Sequence, residues 1–329
     1  MSLAPILSVK DLDVVFATPR GPLQAIDGVT LDVRPGEILG LVGESGSGKS
    51  VTLRAILRLL RGNAKIGGQI VFRGEHLILA TERRMQQLRG ASIGMIFQEP
   101  MTALNPVLTI GMQIEETLAA HGLREAKARR SRAIELLHQV GLPSPQDRLG
   151  GYPHEFSGGM RQRAMIAIAL AASPSLLLAD EPTTALDVTI QDQILKLLKR
   201  LTTELGMAMI LVTHDLGVVA ETCDRVSVMY AGRVAETAPV DVLFAAPRHA
   251  YTHALLRSAP GGGAPRAMLT PIAGQPPQLQ APAQGCAFAP RCEYSEARCL
   301  EGRPPMFALG PDQASACHAR DRLPPWRAS

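Results

Sequence analysis

The sequence predicts an α/β fold with a largely parallel sheet, and three patterns along the chain support this prediction. Short apolar segments alternate with amphipathic helical segments from about residue 6 to residue 234. From about residue 100 to 172 the pattern becomes mostly helical, and after about residue 246 proline and glycine become frequent. We therefore expect a sheet core with an inserted helical subdomain in residues 1–246, and a C-terminal extension in residues 247–329.

Each predicted strand and helix has its own signature in the sequence. Short apolar runs are typical of buried strands, and they occur at Ile38–Val42, Ile93–Phe97, Leu176–Ala179, Ala208–Val212 and Val226–Tyr230. Helical patterns follow several of these runs, at Lys49–Leu60, Val188–Leu205 and Asp215–Cys223. The N-terminal run Leu7–Phe16 alternates with a period of two, which predicts an antiparallel edge sheet.

The helical subdomain and the C-terminal extension differ in their patterning. Apolar residues recur at helical spacing in Ile110–His121, Glu125–Val140 and Ser157–Ala172. In the extension, Ala259–Pro265 and Pro271–Pro282 are rich in proline and glycine. We expect loop-rich chain there, because the sequence has too little periodicity to form a hydrophobic core of its own.

Composition and charge limit the classes of function. The 34 basic and 30 acidic residues give a net charge of +4, which is too mild to indicate a nucleic-acid partner. The most apolar stretches, such as Met165–Ala172, are far shorter than the roughly 20 residues of a membrane span. The first nine residues lack the layout of a signal peptide. We therefore expect a cytoplasmic chain that reaches a membrane only through a partner.

A P-loop pattern lies between a predicted strand and a predicted helix, with the sequence Gly43-Glu44-Ser45-Gly46-Ser47-Gly48-Lys49-Ser50. Glycines let the backbone wrap around phosphates with its amides pointing inward, and the helix N-terminus favours an anion. Lys49 is expected to reach the β and γ phosphates, and the Ser50 hydroxyl to bind Mg²⁺. A glycine-rich turn that binds nothing is the alternative, but the strand–loop–helix context favours a P-loop NTPase core.

Two acidic residues end the apolar strand Leu176–Ala179. Buried carboxylates are costly unless a cation is present, so Asp180 is a candidate Mg²⁺ ligand. Glu181 is the candidate general base that polarises the attacking water. An ordinary transition from a strand to a loop could have the same sequence. The P-loop elsewhere in the chain favours the catalytic interpretation.

A second glycine pair opens the helix before the acidic strand, in Phe156-Ser157-Gly158-Gly159-Met160-Arg161-Gln162-Arg163. This segment resembles the signature motif of ATP-binding-cassette (ABC) proteins. Phe156 stands where that motif commonly has Leu, and Met160 where it has Gln, but neither change removes an anion donor. The resemblance implies that Ser157, Gly158, Gly159 and Met160 contact the γ-phosphate of ATP held by an opposing subunit.

The resemblance extends to other landmarks in the family's order. Gln98 resembles the glutamine that senses Mg²⁺ and the attacking water, so the implied Mg²⁺ ligands are Ser50, Gln98 and Asp180. Asp187, in Thr184-Ala185-Leu186-Asp187, resembles the D-loop that crosses the dimer interface. His214 resembles the switch histidine that orients the γ-phosphate, which makes Glu181, His214 and Gln98 the implied catalytic set. Phe16 is the candidate that stacks on adenine, and a packing role in a strand is its alternative.

Val51, the run from Gln98 to Pro106 and the cysteine-rich tail resemble the oligopeptide and dipeptide importer branch of ABC ATPases. The resemblance implies ATP as the substrate that is hydrolysed and Mg²⁺ as its cofactor. It further implies two membrane-spanning permease subunits, an extracytoplasmic solute-binding protein and a second ATPase. A heterodimer of ATPases is the first expectation and a homodimer the second. The resemblance also implies that the chain lies peripherally on the cytoplasmic face of the membrane. Similar chains serve importers of nickel, glutathione and other small solutes, so the solute stays open.

Four cysteines, Cys286, Cys292, Cys299 and Cys317, crowd into the last 44 residues. In a reducing cytosol such clustering suggests a metal rather than disulfides. In the importer branch this extension can carry a four-iron four-sulfur cluster, and zinc or unligated thiols are the alternatives. Cys223 is expected to be a small core residue.

Two other classes of protein would share the cassette motifs. Soluble cassette proteins of translation or DNA repair usually carry two cassettes or a long coiled-coil insertion, and neither is visible here. A metal-sensing regulator would need a DNA-binding element with a basic face, and the sequence shows no convincing one. Both classes are therefore disfavoured.

Overall fold

The computed structural model describes residues 4–258, 271–277, 283–324 and 326. The chain forms two compact units, one of Met1–Leu79 with Val212–Ser329 and one of Ala80–Leu211. The predicted loop segment Ala259–Pro265 and the end of Pro271–Pro282 lie outside the described residues. Among the described helices, none is both long enough and apolar enough to cross a membrane.

The elements follow one another in the alternating order that the sequence predicts. The strands are β1 (Leu7–Thr18), β2 (Gly21–Val33), β3 (Ile38–Val42), β4 (Ala64–Phe72), β5 (Glu75–His76), β6 (Ile93–Ile96), β7 (Leu176–Asp180), β8 (Ala208–Thr213), β9 (Arg225–Tyr230), β10 (Arg233–Pro239), β11 (Phe307–Gly310) and β12 (Gln313–Ser315). The helices are α1 (Lys49–Ile56), α2 (Glu82–Leu88), α3 (Pro100–Ala103), α4 (Ile110–Ala120), α5 (Ala126–Gln139), α6 (Pro145–Arg148), α7 (Gly158–Leu170), α8 (Val188–Leu205), α9 (Leu216–Thr222), α10 (Val240–Ala245), α11 (Ala250–Ser258) and α12 (Ala297–Glu301). Short 3₁₀ helices occupy Pro153–Glu155 and Ala289–Arg291.

The first unit contains the predicted antiparallel edge sheet, with strand order β2-β1-β4-β5. A bulge interrupts the pairing of β1 with β4, because Lys10 lies opposite Gln69 while Asp13 lies opposite Gly67. Asp11 takes a left-handed conformation within this bulge. The period-two alternation of the N-terminal run therefore predicted this sheet correctly.

The same unit holds the strands β11-β12-β10-β9-β3, in that order. Strands β3 and β9 are parallel, with Leu39 opposite Arg225 and Val42 opposite Val228. The remaining pairs are antiparallel. All five residues of β3 are buried, as the unbroken apolar run predicts.

The C-terminal extension packs on the core of the first unit. Tyr251 of α11 and Phe288 are buried in one cluster with Val226, Val228 and Tyr230 of β9. The expectation of loop-rich chain after residue 246 was wrong for α11, α12, β11 and β12. These short elements gain their stability from packing and from pairing with β10, which local periodicity does not reveal.

The second unit combines parallel strands with the predicted helical subdomain. Strands β6 and β7 are parallel neighbours, and helices α4, α5 and α7 contact one another. Helix α8 has the predicted bounds, because Asp187 caps its N-terminus and the left-handed Gly206 ends it.

One helix of the first unit is shorter than the sequence predicts. The pattern indicated Lys49–Leu60, but α1 ends at Ile56. Arg58 takes a left-handed φ of 53°, which breaks the helical hydrogen-bond ladder.

Gly68 is the most constrained glycine of the β1–β4 pairing. A Cβ atom there would lie 2.2 Å from the carbonyl oxygen of Asp11, and φ is +84°. We expect Gly68→Ala to lower the free energy of unfolding by about 3 kcal/mol, because it adds a backbone clash to left-handed strain. Gly74→Ala is the matched control, since Gly74 has φ +81° but open space around it. It should cost about 1 kcal/mol. Denaturant unfolding of both variants measures the difference, and equal losses would contradict the steric explanation.

Candidate functional site

The P-loop of the first unit connects buried β3 to α1 through a turn that requires glycine. At Gly43 a Cβ would lie 2.1 Å from the carbonyl oxygen of Met229 in β9, and φ is +150°. At Gly48, the N-cap of α1, a Cβ would lie 2.6 Å from Ile26, and φ is +104°. The sequence motif therefore forms the strand–loop–helix turn on which its interpretation depends.

Lys49 folds back over this loop. Its Nζ donates to the carbonyl oxygens of Gly43, at 2.8 Å, and Glu44, at 2.9 Å, and to the Ser47 hydroxyl, at 3.3 Å. The side chain is buried, so its charge lies within the concavity of the loop. Ser50 and Val51 follow in the first turn of α1, both half-buried. A cation and a helix N-terminus thus converge where a polyphosphate would lie.

His214 and Phe16 belong to the same unit. His214 is exposed between the end of β8 and Asp215, whose carboxylate caps α9 by accepting from the amides of Gly217 and Val218. Phe16 is half-buried in β1, with Leu23 and Ala64 as its strand neighbours. The packing role weighed for Phe16 is therefore compatible with its place in the sheet.

The two acidic residues that the sequence singled out lie in the second unit, where β7 ends. Asp180 is fully buried, and Glu181 follows it with a left-handed φ of 46°. Glu181 Oε2 accepts hydrogen bonds from Gln98 Nε2 at 3.1 Å and from the Thr184 hydroxyl at 2.9 Å. Gln98 and Glu181 therefore meet in the structure although they are 83 positions apart in sequence. The carboxylate is oriented by two donors, as a group that must align a water molecule should be.

The oxygen donors proposed for Mg²⁺ fit that ion chemically. The hydroxyl of Ser50, the amide oxygen of Gln98 and the carboxylate of Asp180 are hard ligands of the kind that Mg²⁺ prefers. The burial of Asp180 adds to this fit, because a carboxylate removed from water is stabilised by a nearby cation.

The second glycine pair opens α7. Ser157 caps this helix by accepting from the amide of Met160 at 3.4 Å, and Ser157 and Gly158 are both exposed. A Cβ on Gly159 would lie 2.9 Å from Ile190 Cγ2 at the start of α8. The helix start is therefore exposed on one side and closely packed on the other. The first amides of a helix have no partner within the helix, so a helix start of this kind is suited to an anion.

One departure from the common signature, at Phe156, has a structural explanation. Phe156, which replaces the common Leu, is buried at 2% exposure. It thus serves the apolar position that a Leu would fill. Asp187 is exposed and caps α8 by accepting from the amide of Ile190 at 2.9 Å.

The four tail cysteines all lie in the described part of the chain, and none forms a disulfide. Burial raises the pKa of the Cys286 and Cys317 thiols, and raises that of Cys292 to about 11. Neighbouring tail cysteines raise the pKa of these three thiols further. Burial therefore favours the protonated thiol over the thiolate that binds metals.

The expected metal centre is not found as an arranged site. Across residues 4–258, 271–277, 283–324 and 326, no group of three or more His, Cys, Asp or Glu residues is placed to hold one metal ion. The iron–sulfur or zinc expectation for Cys286, Cys292, Cys299 and Cys317 is not supported by this placement. Sequence spacing brought the thiols near one another but does not fix their mutual geometry.

Sequence reasoning missed two residues next to the P-loop. Arg291 forms an ion pair with Glu44, and the Tyr251 hydroxyl accepts a hydrogen bond from the Glu44 amide. They lie 247 and 207 positions from Glu44, so no local signal indicates these contacts.

Comparison with known proteins agrees with this architecture. The family model described as ABC transporter matches residues 26–184, and the one described as oligopeptide/dipeptide transporter, C-terminal region, matches residues 235–299. A probable peptide ABC transporter ATP-binding protein y4tR of Sinorhizobium fredii is 51% identical, with 95% of this chain and 94% of that protein covered. The oligopeptide transport ATP-binding protein OppD of Bacillus subtilis is 52% identical, with 92% and 86% covered.

A solved structure shows the same fold. The ATP-binding cassette MJ0796, determined as a dimer in a post-hydrolysis state with ADP and phosphate, superposes with a TM-score of 0.64 at 30% identity. The alignment covers 71% of this chain and 98% of that one. Together with the two relatives matched over nearly the whole chain, this shows that the protein belongs to the ABC transporter family and carries the cassette of its ATP-hydrolysing subunits.

Proposed function

We propose that this chain is the ATP-hydrolysing subunit of an importer that takes up dipeptides or oligopeptides across the cytoplasmic membrane. The observation that carries the ATPase part is the carboxylate of Glu181, oriented by hydrogen bonds from Gln98 and Thr184. The peptide part rests on the relatives, whose names describe peptide import and whose similarity extends through the C-terminal region. These names favour peptides over nickel or glutathione.

ATP is proposed to bind along the P-loop of the first unit. The loop amides and Lys49 neutralise the phosphates, and His214 orients the γ-phosphate. Phe16 stacks on the adenine. The full set of proposed ATP-binding residues is Phe16, Gly43, Glu44, Ser45, Gly46, Ser47, Gly48, Lys49, Ser50, Val51, Gln98 and His214.

Hydrolysis is proposed to use the carboxylates of the second unit. Glu181 accepts the proton of the attacking water, and Gln98 holds the carboxylate in the orientation this requires. Ser50, Gln98 and Asp180 would hold Mg²⁺, which would supply charge neutralisation at the phosphates. Ser157, Gly158, Gly159 and Met160 complete the site of an opposing subunit, and Asp187 lies at that interface.

The proposed assembly follows from the same assignment. It contains two membrane-spanning permease subunits, a second ATPase in a heterodimer, and an extracytoplasmic solute-binding protein. The chain lies peripherally on the cytoplasmic face of the membrane, with a cassette in residues 1–246 and the peptide-importer extension in residues 247–329.

Replacing the proposed base tests the catalytic assignment. Glu181→Gln keeps the shape of the side chain but removes its basicity, so ATP turnover should fall by about 100-fold or more while ATP binding persists. Phosphate release by the assembled transporter and retention of labelled ATP measure the two properties. Glu204→Gln is the control, because Glu204 is an exposed residue of α8 paired with Arg200. Wild-type turnover in Glu181→Gln would refute the assigned base.

Replacing Ser157 separates its proposed contact with an anion from its role as a helix cap. Ser157 and Thr109 cap α7 and α4 in the same way, by accepting from the amides of Met160 and Met112. Either residue replaced by Ala should lower the free energy of unfolding by about 1 kcal/mol. Only Ser157→Ala should also lower ATP turnover of the assembled transporter, by about tenfold, because only Ser157 contacts the opposing nucleotide. Equal ATPase rates in the two variants would contradict the signature assignment.

We also propose that the tail thiols take up iron–sulfur or zinc in the cell. The support is their mutual proximity, since the Cys286 amide donates to the Cys299 carbonyl oxygen at 2.7 Å, and Cys286, Cys292 and Cys317 pack in one cluster. Binding must draw the thiols together and displace their protons, because as placed no three of them share an ion.

Metal analysis of the chain after anaerobic purification tests this proposal. Iron with sulfide, or zinc, should accompany the wild type and fall to background in Cys292→Ser. Cys223→Ser is the control and should keep the metal, because Cys223 lies outside the tail. Metal at background in the wild type would refute the proposal.

A further inference from the structure

The C-terminal part of the chain holds one residue of the P-loop at three points. The guanidinium of Arg291 donates to both carboxylate oxygens of Glu44, at 2.7 Å and 3.0 Å. The backbone amide of Glu44 donates to the Tyr251 hydroxyl at 2.8 Å. Both the side chain and the backbone of Glu44 are therefore fixed by residues more than 200 positions away.

Arg291 is itself held rigidly. Its side chain is only 5% exposed, and it also donates to the Tyr230 hydroxyl and to the carbonyl oxygens of Ile272 and Ala273. Its guanidinium lies 5.8 Å from the ring centroid of Tyr230 and 5.9 Å from that of Phe288. Such a planar, bidentate contact is specific to arginine, because a lysine cannot form it.

Tyr251 is equally constrained. It is fully buried, with its ring centroid 4.6 Å from that of Tyr230 and 5.3 Å from that of Phe288. The three aromatic rings therefore form a packed support under the P-loop, which we call the aromatic support (Tyr230, Tyr251 and Phe288). A hydroxyl placed by this packing can fix the orientation of one peptide unit of the loop.

The contacts matter because Glu44 lies within the phosphate loop. The Glu44 amide shares one peptide unit with the carbonyl oxygen of Gly43, which accepts from Lys49 Nζ at 2.8 Å, so the peptide that Tyr251 orients also positions the lysine. The Glu44 carboxylate is a negative charge in a loop whose amides and lysine attract phosphates. Without a partner that charge would repel a triphosphate, and the guanidinium of Arg291 compensates it.

We propose that Arg291 and Tyr251 are positioning residues through which the C-terminal extension sets the affinity of the P-loop for a nucleoside triphosphate. This inference rests on the proposed function, since it concerns ATP binding at the same loop. Arg291 acts by neutralising Glu44, and Tyr251 by fixing the peptide that carries it. Neither residue touches the nucleotide in this role.

Equilibrium binding of Mg²⁺-ATP to the full-length chain tests the proposal. We expect Arg291→Gln to raise the dissociation constant about tenfold, because it leaves Glu44 uncompensated beside the phosphates. Arg257→Gln is the matched control, since Arg257 lies in the same unit and pairs with Glu293 away from the loop. It should change the constant less than about twofold. If the wild type binds ATP and Arg291→Gln has the same dissociation constant, the inference is overturned while the proposed function stands.

A double-mutant cycle separates electrostatic positioning from support of the tail's fold. In a Glu44→Gln background there is no carboxylate to neutralise, so adding Arg291→Gln should raise the constant less than about twofold. The same tenfold loss in both backgrounds would show that Arg291 only maintains the fold and would overturn the inference. Failure of the wild type to bind ATP would instead refute the proposed function.

Tyr251→Phe keeps the packed ring and provides a second variant should Arg291→Gln fail to fold. It removes only the hydroxyl that accepts from the Glu44 amide, so we expect the dissociation constant for Mg²⁺-ATP to rise about threefold. Tyr294→Phe is its control, because Tyr294 packs against the same cluster without contacting the loop. Equal constants in Tyr251→Phe and the wild type would overturn the role of the hydroxyl.

Discussion

The site depends on one steric constraint, the close passage of the P-loop over strand β9. The carbonyl oxygen of Met229 lies where any side chain at Gly43 would begin. The parallel register of β3 and β9, with Val42 opposite Val228, brings the backbone to this distance. The backbone can therefore follow this path past β9 only if the residue after β3 is glycine. In this conformation the loop encloses Lys49, and its carbonyl oxygens hold the lysine in place.

Local signals in the sequence predicted much of the fold. Helix α8 was predicted with its observed bounds because Asp187 is a local signal for the start of a helix and Gly206 is one for its end. The end of α1 was not predicted, because no residue type in the sequence indicates the left-handed turn at Arg58. Strands β11 and β12 were missed for a different reason. They are three or four residues long, and they exist because β12 pairs with β10.

Sequence motifs singled out residues that the structure brings together, whereas the contacts around them were missed. Gln98 meets Glu181 because each residue closely follows a strand of the same parallel pair. Arg291 and Tyr251 could not be predicted in this way, because their contacts to Glu44 arise only when the extension folds onto β9. The tail cysteines show the converse limit. Their spacing indicated shared chemistry, but it does not reveal that Cys292 packs against an apolar cluster and that burial raises the pKa of its thiol.

The extension is therefore part of the nucleotide-binding unit in an energetic sense. The aromatic support joins a ring of β9 to rings of α11 and of the tail, so the core of the cassette and that of the extension are one cluster. Glu44 places a negative charge in a loop built for anions, and the compensating charge comes from the far end of the chain. A cassette cut before the extension would lose Arg291 and Tyr251 and retain Glu44. The acidic residue in the loop therefore has its guanidinium partner in the tail.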